Sequence, residues 1–209
     1  FRCLHENGPS VPDPHIGLRA EAIAWFDQFR ARAELVERPL LVIAPGSGAR
    51  EKNWPEDCFA AVADWWREHI RGAVVVLIGV VEEERGLSLR LQNAGVIVCG
   101  LDLAQAAALL AACDLFLGND SGITHLAAAC GTRTVALFGP SSPRQWAPRG
   151  ARVMVVSRNE NCAPCDVTTM KGCAHRRCLT GLGSDRVIAA LAQLPEVATL
   201  TRYGAGITV

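Results

Sequence analysis

Short blocks of aliphatic residues recur along the chain and alternate with stretches whose apolar residues have helical spacing. The blocks are rich in β-branched residues and do not alternate apolar with polar positions, which is typical of strands buried on both faces. Such strands are predicted at 40–44, 73–78, 96–99, 114–117, 134–138 and 153–156. Strands and helices in this alternation form a parallel sheet with helices on both faces. The sequence therefore predicts an α/β, Rossmann-like fold.

The length and net charge of the chain limit the number of domains and the kinds of partner that it can have. The chain has 209 residues, of which half are apolar, enough for one α/β domain and short for two. Its 21 basic and 21 acidic residues balance, which argues against nucleic acid as a partner. No apolar run approaches the roughly 18 residues that a membrane span needs. Because the chain begins at Phe1 with no signal-peptide pattern, we expect it to be a piece of a longer protein, with a processed product as the alternative.

Helices are expected between the strands, and their ends carry turn and capping signals. They are predicted at 18–33, from Pro55 to about residue 70, and at 82–92, 104–112, 121–130 and 184–194. Ser184 is a suitable N-cap for the last of these helices. Polar and Gly-rich segments follow several strands, and ligands of parallel sheets bind at the carboxyl ends of strands. These segments are therefore the candidates for a binding site.

The strongest candidate is the segment 118–125 (GNDSGITH), which leaves a strand and enters a helix. The first amides of a helix have no intrahelical partners, and the helix dipole adds partial positive charge, so a phosphate or diphosphate would bind there. Gly122 would let the ligand approach the backbone, and His125 would add a donor one turn later. The alternative is an ordinary helix capped by Asp120 or Ser121, with His125 packed against its neighbours.

A second candidate is the segment 45–55 (PGSGAREKNWP). It has neither the spacing of a P-loop nor that of a dinucleotide-binding Gly-rich turn, which weakens ATP-type and NAD-type interpretations. What remains is a turn at Ser47 and Gly48 whose amides and hydroxyl could meet an anion, with Lys52 as a mobile positive charge. A plain strand-to-helix turn with a solvated lysine is the alternative.

Two further segments follow strands. A carboxylate in the run 82–84 could accept hydrogen bonds from both hydroxyls of a ribose, or could simply complement the dipole of a helix start. The stiff segment 138–143 (FGPSSP) would form either a wall of a sugar or base pocket or only a turn. Basic residues predominate over 144–178, which would suit an anionic acceptor, a membrane surface or a solvated face.

Four of the nine cysteines lie in one polar loop, at Cys162, Cys165, Cys173 and Cys178. Four thiolates could hold a structural zinc ion or a cluster, and they leave no open position for a catalytic metal. Their spacing differs from that of common zinc ribbons, and free or disulfide-forming thiols are the alternative. The other cysteines are scattered, and an odd total suits a reducing compartment.

Taken together, these motifs resemble one family. Lys52-x-Trp54-Pro55, the segment 118–129, the segment 138–143 and the Cys-x-Pro-Cys loop occur in this order over about 40–194. The chain is similar to the C-terminal half of the family 9 glycosyltransferases, which include the ADP-heptose:lipopolysaccharide heptosyltransferases.

The resemblance implies the donor-binding half of a GT-B glycosyltransferase, an enzyme with two Rossmann-like domains and a cleft between them. It implies an ADP-sugar donor, a lipopolysaccharide core acceptor and transfer without a divalent metal. Lys52 would contact the donor phosphate, Asp120, Ser121, Gly122 and His125 would contact the phosphates and sugar, and Glu82 would bind the ribose. The catalytic base would lie in an N-terminal domain that this chain lacks, so the chain alone is expected to be inactive.

The expected organisation follows from these points. Residues 1–38 would be a linker and an interdomain helix, 39–195 the nucleotide-sugar-binding domain with its Cys-rich loop at 160–180, and 196–209 a tail. Trp25, Phe26 and Phe29 would mark a surface that the missing half covers. The protein is expected in the cytoplasm, with at most a peripheral contact at the cytoplasmic face of the inner membrane. Alternative functions are a non-catalytic nucleotide-binding module and a metal- or redox-sensing domain built on the Cys loop.

Overall fold

A computed structural model describes residues 13–204, with the side chains of residues 13–200. Six strands form one sheet: β1 (Leu40–Ala44), β2 (Ala73–Ile78), β3 (Val96–Cys99), β4 (Leu115–Asn119), β5 (Thr134–Phe138) and β6 (Val153–Ser157). All neighbouring strands pair in parallel, in the order β3-β2-β1-β4-β5-β6. The predicted Rossmann-like parallel sheet is therefore confirmed.

The strand order reverses direction between β1 and β4. The chain moves outward from β1 to β3, returns to pair β4 with β1, and then moves outward on the other side to β6. In β1, Leu41 lies beside Val74 of β2 and Leu115 of β4. The connections that leave β1 and β4 therefore diverge at the carboxyl ends of these two strands, which is where such sheets bind ligands.

Eleven helices are assigned among residues 13–204. They are α1 (Ala20–Arg32), α2 (Glu56–Trp65), α3 (Val80–Glu84), α4 (Leu87–Leu91), α5 (Leu103–Ala112), α6 (Gly122–Ala129), α7 (Pro143–Trp146), α8 (Val167–Gly172), α9 (Arg177–Thr180), α10 (Ser184–Ala192) and α11 (Pro195–Gly204). A π-helical turn, Trp66–Ile70, continues α2. None of the helices in this part of the chain is long and apolar enough to cross a membrane.

The sheet separates two apolar layers. Leu41 and Ile43 of β1 face the layer formed with α2, α4, α10 and α11, whereas Val42 faces the layer formed with α1, α5 and α6. Alternate side chains of a strand point to opposite faces, so a strand between two helical layers must be apolar at every position. This explains why the strands are continuous aliphatic blocks.

The helical segments differ from the sequence prediction in several places, and the short helices α7, α8 and α9 were not predicted. The single helix expected at 82–92 is two short helices, because Gly86 adopts a left-handed conformation with φ of 69° between them. Ser184 begins α10 but does not cap it, since the N-cap position belongs to Gly183. The tail expected from residue 196 is instead the helix α11, and the buried Val197 and the partly buried Leu200 pack it against the core.

Helix α1 belongs to the domain. Phe26 is buried against the layer that contains α5, and Trp25 stacks on Phe29 with their ring centres 5.5 Å apart. The expectation that Phe26 would lie on a bare surface is therefore wrong. Its ring lies on the inward face of α1, and the helix is a covering layer of the sheet.

Candidate functional site

The side chains predicted to bind an anion meet at the carboxyl ends of β1 and β4. The Lys52 Nζ atom lies 2.7 Å from the Asp120 Oδ2 atom, and the Ser141 hydroxyl donates to the same oxygen at 2.6 Å. The Asp120 side chain is 8% exposed and that of Lys52 is 28% exposed. Loops that follow three different strands thus converge on one carboxylate.

The loop that carries Lys52 is fastened to the end of β4 by Asn119. The Asn119 side chain, which is fully buried, donates to the Pro45 carbonyl at 2.7 Å and accepts from the Trp54 amide at 3.0 Å. The Trp54 indole donates in turn to the Leu182 carbonyl at 2.7 Å. Both ends of the segment 45–54 are therefore held, and Lys52 sits on the 3₁₀ turn Arg50–Lys52 between them.

Ser47 and Gly48, which were also predicted to bind an anion, lie in the same loop but form no hydrogen bond with Asp120. The Ser47 Oγ atom lies 2.6 Å from the Ala49 carbonyl oxygen and 2.5 Å from Asn53 Oδ1. Its hydroxyl therefore shapes its own loop. Gly48 is exposed, and a Cβ atom placed on it would meet nothing within 4 Å, so its backbone is accessible to a ligand.

The N-terminus of α6 lies next to Asp120. The Thr124 hydroxyl donates to the Asn119 carbonyl at 2.5 Å, so Ser121 must be the donor in its 3.1 Å hydrogen bond with Thr124. Among the described residues, no side chain caps the first turn of α6. Its free amides are thus available to an anion beside Lys52. His125 lies in this turn and is exposed.

Glu82 lies at the same edge of the sheet. A Cβ atom on Gly46 would come within 2.5 Å of the Glu82 Cγ atom, and one on Gly79 would come within 2.6 Å of Glu82 Oε2. The carboxyl group therefore rests against backbone that has no side chains. Glu83 instead accepts a hydrogen bond from Ser88, so among the three glutamates Glu82 is the one brought beside the 45–55 loop.

This arrangement combines an ammonium group, the amides of Gly122 and Ile123 at the start of α6, and two carboxylates along one rim. The ammonium and the amides suit a phosphate or diphosphate, and the carboxylates suit hydroxyl groups. The sequence profile described as "Glycosyltransferase family 9 (heptosyltransferase)" matches residues 12–175.

The chain belongs to glycosyltransferase family 9.

Individual relatives agree with the family assignment. The lipooligosaccharide heptosyltransferase 2 of Haemophilus ducreyi is 30% identical over 197 residues, which are 87% of this chain and 55% of that protein. The family 9 glycosyl transferase of Veillonella parvula superposes with a TM-score of 0.72 at 26% identity, covering 93% of this chain and 55% of that one. The E. coli ADP-heptose lps heptosyltransferase II shares the fold, with a TM-score of 0.67 at 24% identity over 94% of this chain and 57% of its own. The chain spans about half the length of the curated relatives it matches.

The Cys loop of this family 9 chain does not support the zinc prediction. Residues 13–200 contain no group of three or more His, Cys, Asp or Glu side chains that could hold a metal ion. The Cys165 thiol donates to the Cys162 carbonyl, the Cys173 thiol contacts His175, and Cys178 is buried. The described geometry therefore does not support zinc at Cys162, Cys165, Cys173 and Cys178.

The surroundings of two thiols and one carboxylate in this loop shift their pKa values. Burial, together with the neighbouring thiols, raises the pKa of Cys165 and of Cys178, which makes both weak nucleophiles. Asp166 caps α8 by accepting from the Thr169 hydroxyl and from the amides of Thr168 and Thr169. These hydrogen bonds lower the pKa of Asp166.

Two residues at this edge of the sheet, Asn119 and Ser141, were not predicted as site residues from the sequence. Asn119 lies inside the GNDSG motif and supports the rim from below by holding the loop that follows β1. Ser141 lies in the 138–143 turn and donates to Asp120. An asparagine at the end of an apolar strand is the signal that could have identified Asn119. The contact of Ser141 with Asp120 depends on the pairing of β4 with β5, which local sequence patterns do not reveal.

Proposed function

We propose that this chain binds the ADP-sugar donor of a heptosyltransferase that acts on a lipopolysaccharide core acceptor. The observation that carries the proposal is the contact between Lys52 and Asp120 at the strand reversal, beside the uncapped start of α6. Family 9 membership supports heptosyl transfer as the reaction class. The name of the E. coli relative, an ADP-heptose heptosyltransferase, supports ADP as the nucleotide.

The diphosphate would bind between Lys52 and the first amides of α6. During transfer, the bond from the sugar to the diphosphate breaks and negative charge grows on the departing oxygen. A fixed ammonium group and oriented amides stabilise that charge without rearranging. Transfer therefore needs no divalent metal in this proposal, because the protein itself supplies the positive charge.

The nucleoside would extend from the diphosphate toward β2. Glu82 sits at the carboxyl end of that strand, and its position against Gly46 puts it beside the loop that carries Lys52. An ionised carboxylate can accept hydrogen bonds from both ribose hydroxyls. Asp120, Ser121 and His125 would then remain for the sugar and the phosphate oxygens.

The acceptor and the catalytic base are proposed to depend on residues outside this chain. The chain spans about half of its curated relatives, so the half that it lacks would supply the base, the acceptor site and the other wall of the cleft. On this proposal the chain binds the donor and does not transfer sugar alone. The basic residues in 144–178 would face the anionic acceptor or the surface of the inner membrane.

Calorimetric titration of the chain with ADP, UDP and GDP tests the proposal. We expect ADP to bind, and to bind more tightly than UDP or GDP. If none of the three nucleotides binds, the proposed function is wrong. If UDP or GDP is preferred, the diphosphate site stands and the assignment of the nucleotide is wrong.

A further inference from the structure

The turn that carries Lys52 receives a hydrogen bond from a distant part of the chain. The Arg176 guanidinium donates to the Arg50 carbonyl at 3.0 Å, across 126 positions of sequence. The same carbonyl accepts the Asn53 amide at 3.1 Å, which closes the 3₁₀ turn Arg50–Lys52. A carbonyl oxygen has two lone pairs, so it can accept from both donors. Arg176 therefore binds the backbone of the turn itself, two residues before Lys52.

The backbone of Arg176 is left-handed, with φ of 43°. This conformation is unfavourable for a residue other than glycine, and it persists only where the surroundings fix it. Here the Arg176 amide donates to the Cys173 Sγ atom at 3.4 Å, and the Arg176 carbonyl accepts the amides of Leu179 at 2.8 Å and Thr180 at 2.9 Å. Leu179 is fully buried, which anchors this segment in the core. The Arg176 side chain therefore extends from a fixed backbone.

The Cys-rich loop that contains this arginine also contacts the other side of the rim. The Cys165 amide donates to the Pro140 carbonyl at 2.8 Å. The next residue along the chain, Ser141, donates to the Asp120 carboxylate. One loop thus holds both turns that supply partners to Asp120, the turn of Ser141 and the turn of Lys52.

The position of this turn matters because a lysine has a flexible four-carbon stem. Lys52 is 28% exposed, so burial alone does not fix its ammonium group. Asp120 restrains the Nζ atom at the far end of the side chain, and Arg176 restrains the backbone from which the side chain extends. With both ends restrained, less conformational freedom is lost when an anion binds, and the affinity is higher.

We propose that Arg176 is a positioning residue for Lys52, and that it holds the turn Arg50–Lys52 so that the ammonium group meets a nucleoside diphosphate. The inference rests on the proposed function, since the position of Lys52 matters only if Lys52 binds the diphosphate. A direct contact between Arg176 and the diphosphate is the alternative. The observed contact with a backbone carbonyl favours the positioning role.

Calorimetry with ADP and with adenosine on the full 209-residue chain tests this role. The main variant is Arg176→Gly, because glycine adopts the left-handed conformation without strain. We expect its urea midpoint to equal or exceed that of the unaltered chain. Its affinity for ADP should fall about fivefold or more, as for the loss of one hydrogen bond. Adenosine has no phosphate and should bind the variant and the unaltered chain equally.

Three further variants make the result specific. Arg176→Lys keeps one N–H donor and should recover most of the ADP affinity. Arg176→Met keeps the length of the side chain without its donors, should show the same loss as Arg176→Gly, and decides if Arg176→Gly does not fold. Arg186→Ala removes an exposed positive charge from α10 and is the matched control, with ADP affinity expected within about twofold of the unaltered chain.

A double-mutant cycle with Lys52→Ala separates positioning from direct contact. If Arg176 acts through Lys52, their effects are not additive, so Arg176→Gly should change the ADP affinity by less than about twofold once Lys52 is replaced. A direct ligand of the diphosphate would instead cost the same factor with and without Lys52.

The inference is overturned if the folded variants without a donor at position 176 bind ADP normally, if adenosine loses as much affinity as ADP, or if the loss is the same in the absence of Lys52. In those cases ADP binding that Lys52→Ala weakens leaves the proposed function standing. If ADP does not bind the unaltered chain, both the proposed function and the inference fail.

Discussion

Lys52 and Asp120 are 68 positions apart in the sequence, and their Nζ and Oδ2 atoms lie 2.7 Å apart. The ion pair joins the loops that leave β1 and β4, the two strands between which the sheet reverses direction. Since the Asp120 carboxylate is largely buried, it holds the ammonium group in place more firmly than a surface partner would. The pair thus orients Lys52 toward the rim on which an anion would lie.

Replacing Lys52 should weaken nucleotide binding strongly. We expect Lys52→Ala to reduce the affinity for ADP by about 1.5–3 kcal/mol, the range for a hydrogen bond to a charged group. Titration calorimetry measures the change. Arg50→Ala is the matched control, because it removes an exposed positive charge from the same loop and should have little effect. An unchanged affinity in Lys52→Ala would mean that the anion site is assigned to the wrong residues.

Glu82 should determine how the protein recognises the ribose. We expect the unaltered chain to prefer ADP over 2′,3′-dideoxy-ADP by about tenfold, since two hydroxyls lose their acceptor. Glu82→Gln should abolish most of this preference and leave the affinity for the dideoxy nucleotide nearly unchanged. Competition binding with both nucleotides measures the ratio of the two affinities. Glu84→Gln, an exposed neighbour, serves as the control, and a preference that survives in Glu82→Gln contradicts the role.

Asn119 should matter for stability as well as for binding. Asn119→Ala leaves the Pro45 carbonyl and the Trp54 amide without their partner, and each buried unpaired group costs about 1–3 kcal/mol. Urea unfolding should therefore show a clearly lower free energy of unfolding. Asn93→Ala, at an exposed position, should change this free energy by less than about 0.5 kcal/mol. Equal stability of the two variants would rule out the fastening role of Asn119.

Acid should weaken the attachment of α11. Partial burial acts to raise the pKa of Glu196, but the hydrogen bond from Arg133 and the charges of Arg133 and Arg152 outweigh it and lower the pKa below 4.5. The Glu196 carboxyl group binds a proton more readily in the unfolded chain than in the folded one. The ion pair with Arg133 therefore stabilises the folded state at neutral pH, and this stabilisation is lost as the pH falls below about 4.5.

Thermal unfolding between pH 7 and pH 3 measures this contribution. Glu196→Gln should flatten the loss of stability in the acid range, whereas Glu84→Gln should follow the unaltered chain. An identical acid profile for the unaltered chain and Glu196→Gln would exclude the ion pair as its cause.

The sequence predicts the sheet well because each strand lies between two helical layers. A strand such as 73–78 must then be apolar throughout, and this pattern is visible without coordinates. The contact between Lys52 and Asp120 was also predictable, since both residues follow strands and such segments share one edge. Helix α11 was missed because its only strong signals are Pro195 at its start and apolar residues at 197 and 200. The role of Ser141 depends on which strands are neighbours, and local patterns do not encode that order.

Trp54 links the rim to the rest of the domain at two points. Its amide donates to Asn119, its indole donates to Leu182, and its side chain is 1% exposed. A shift of the turn that carries Lys52 would have to disturb this ring or its hydrogen bond. Through this one ring, the position of Lys52 at the rim is coupled to the segment around Leu182.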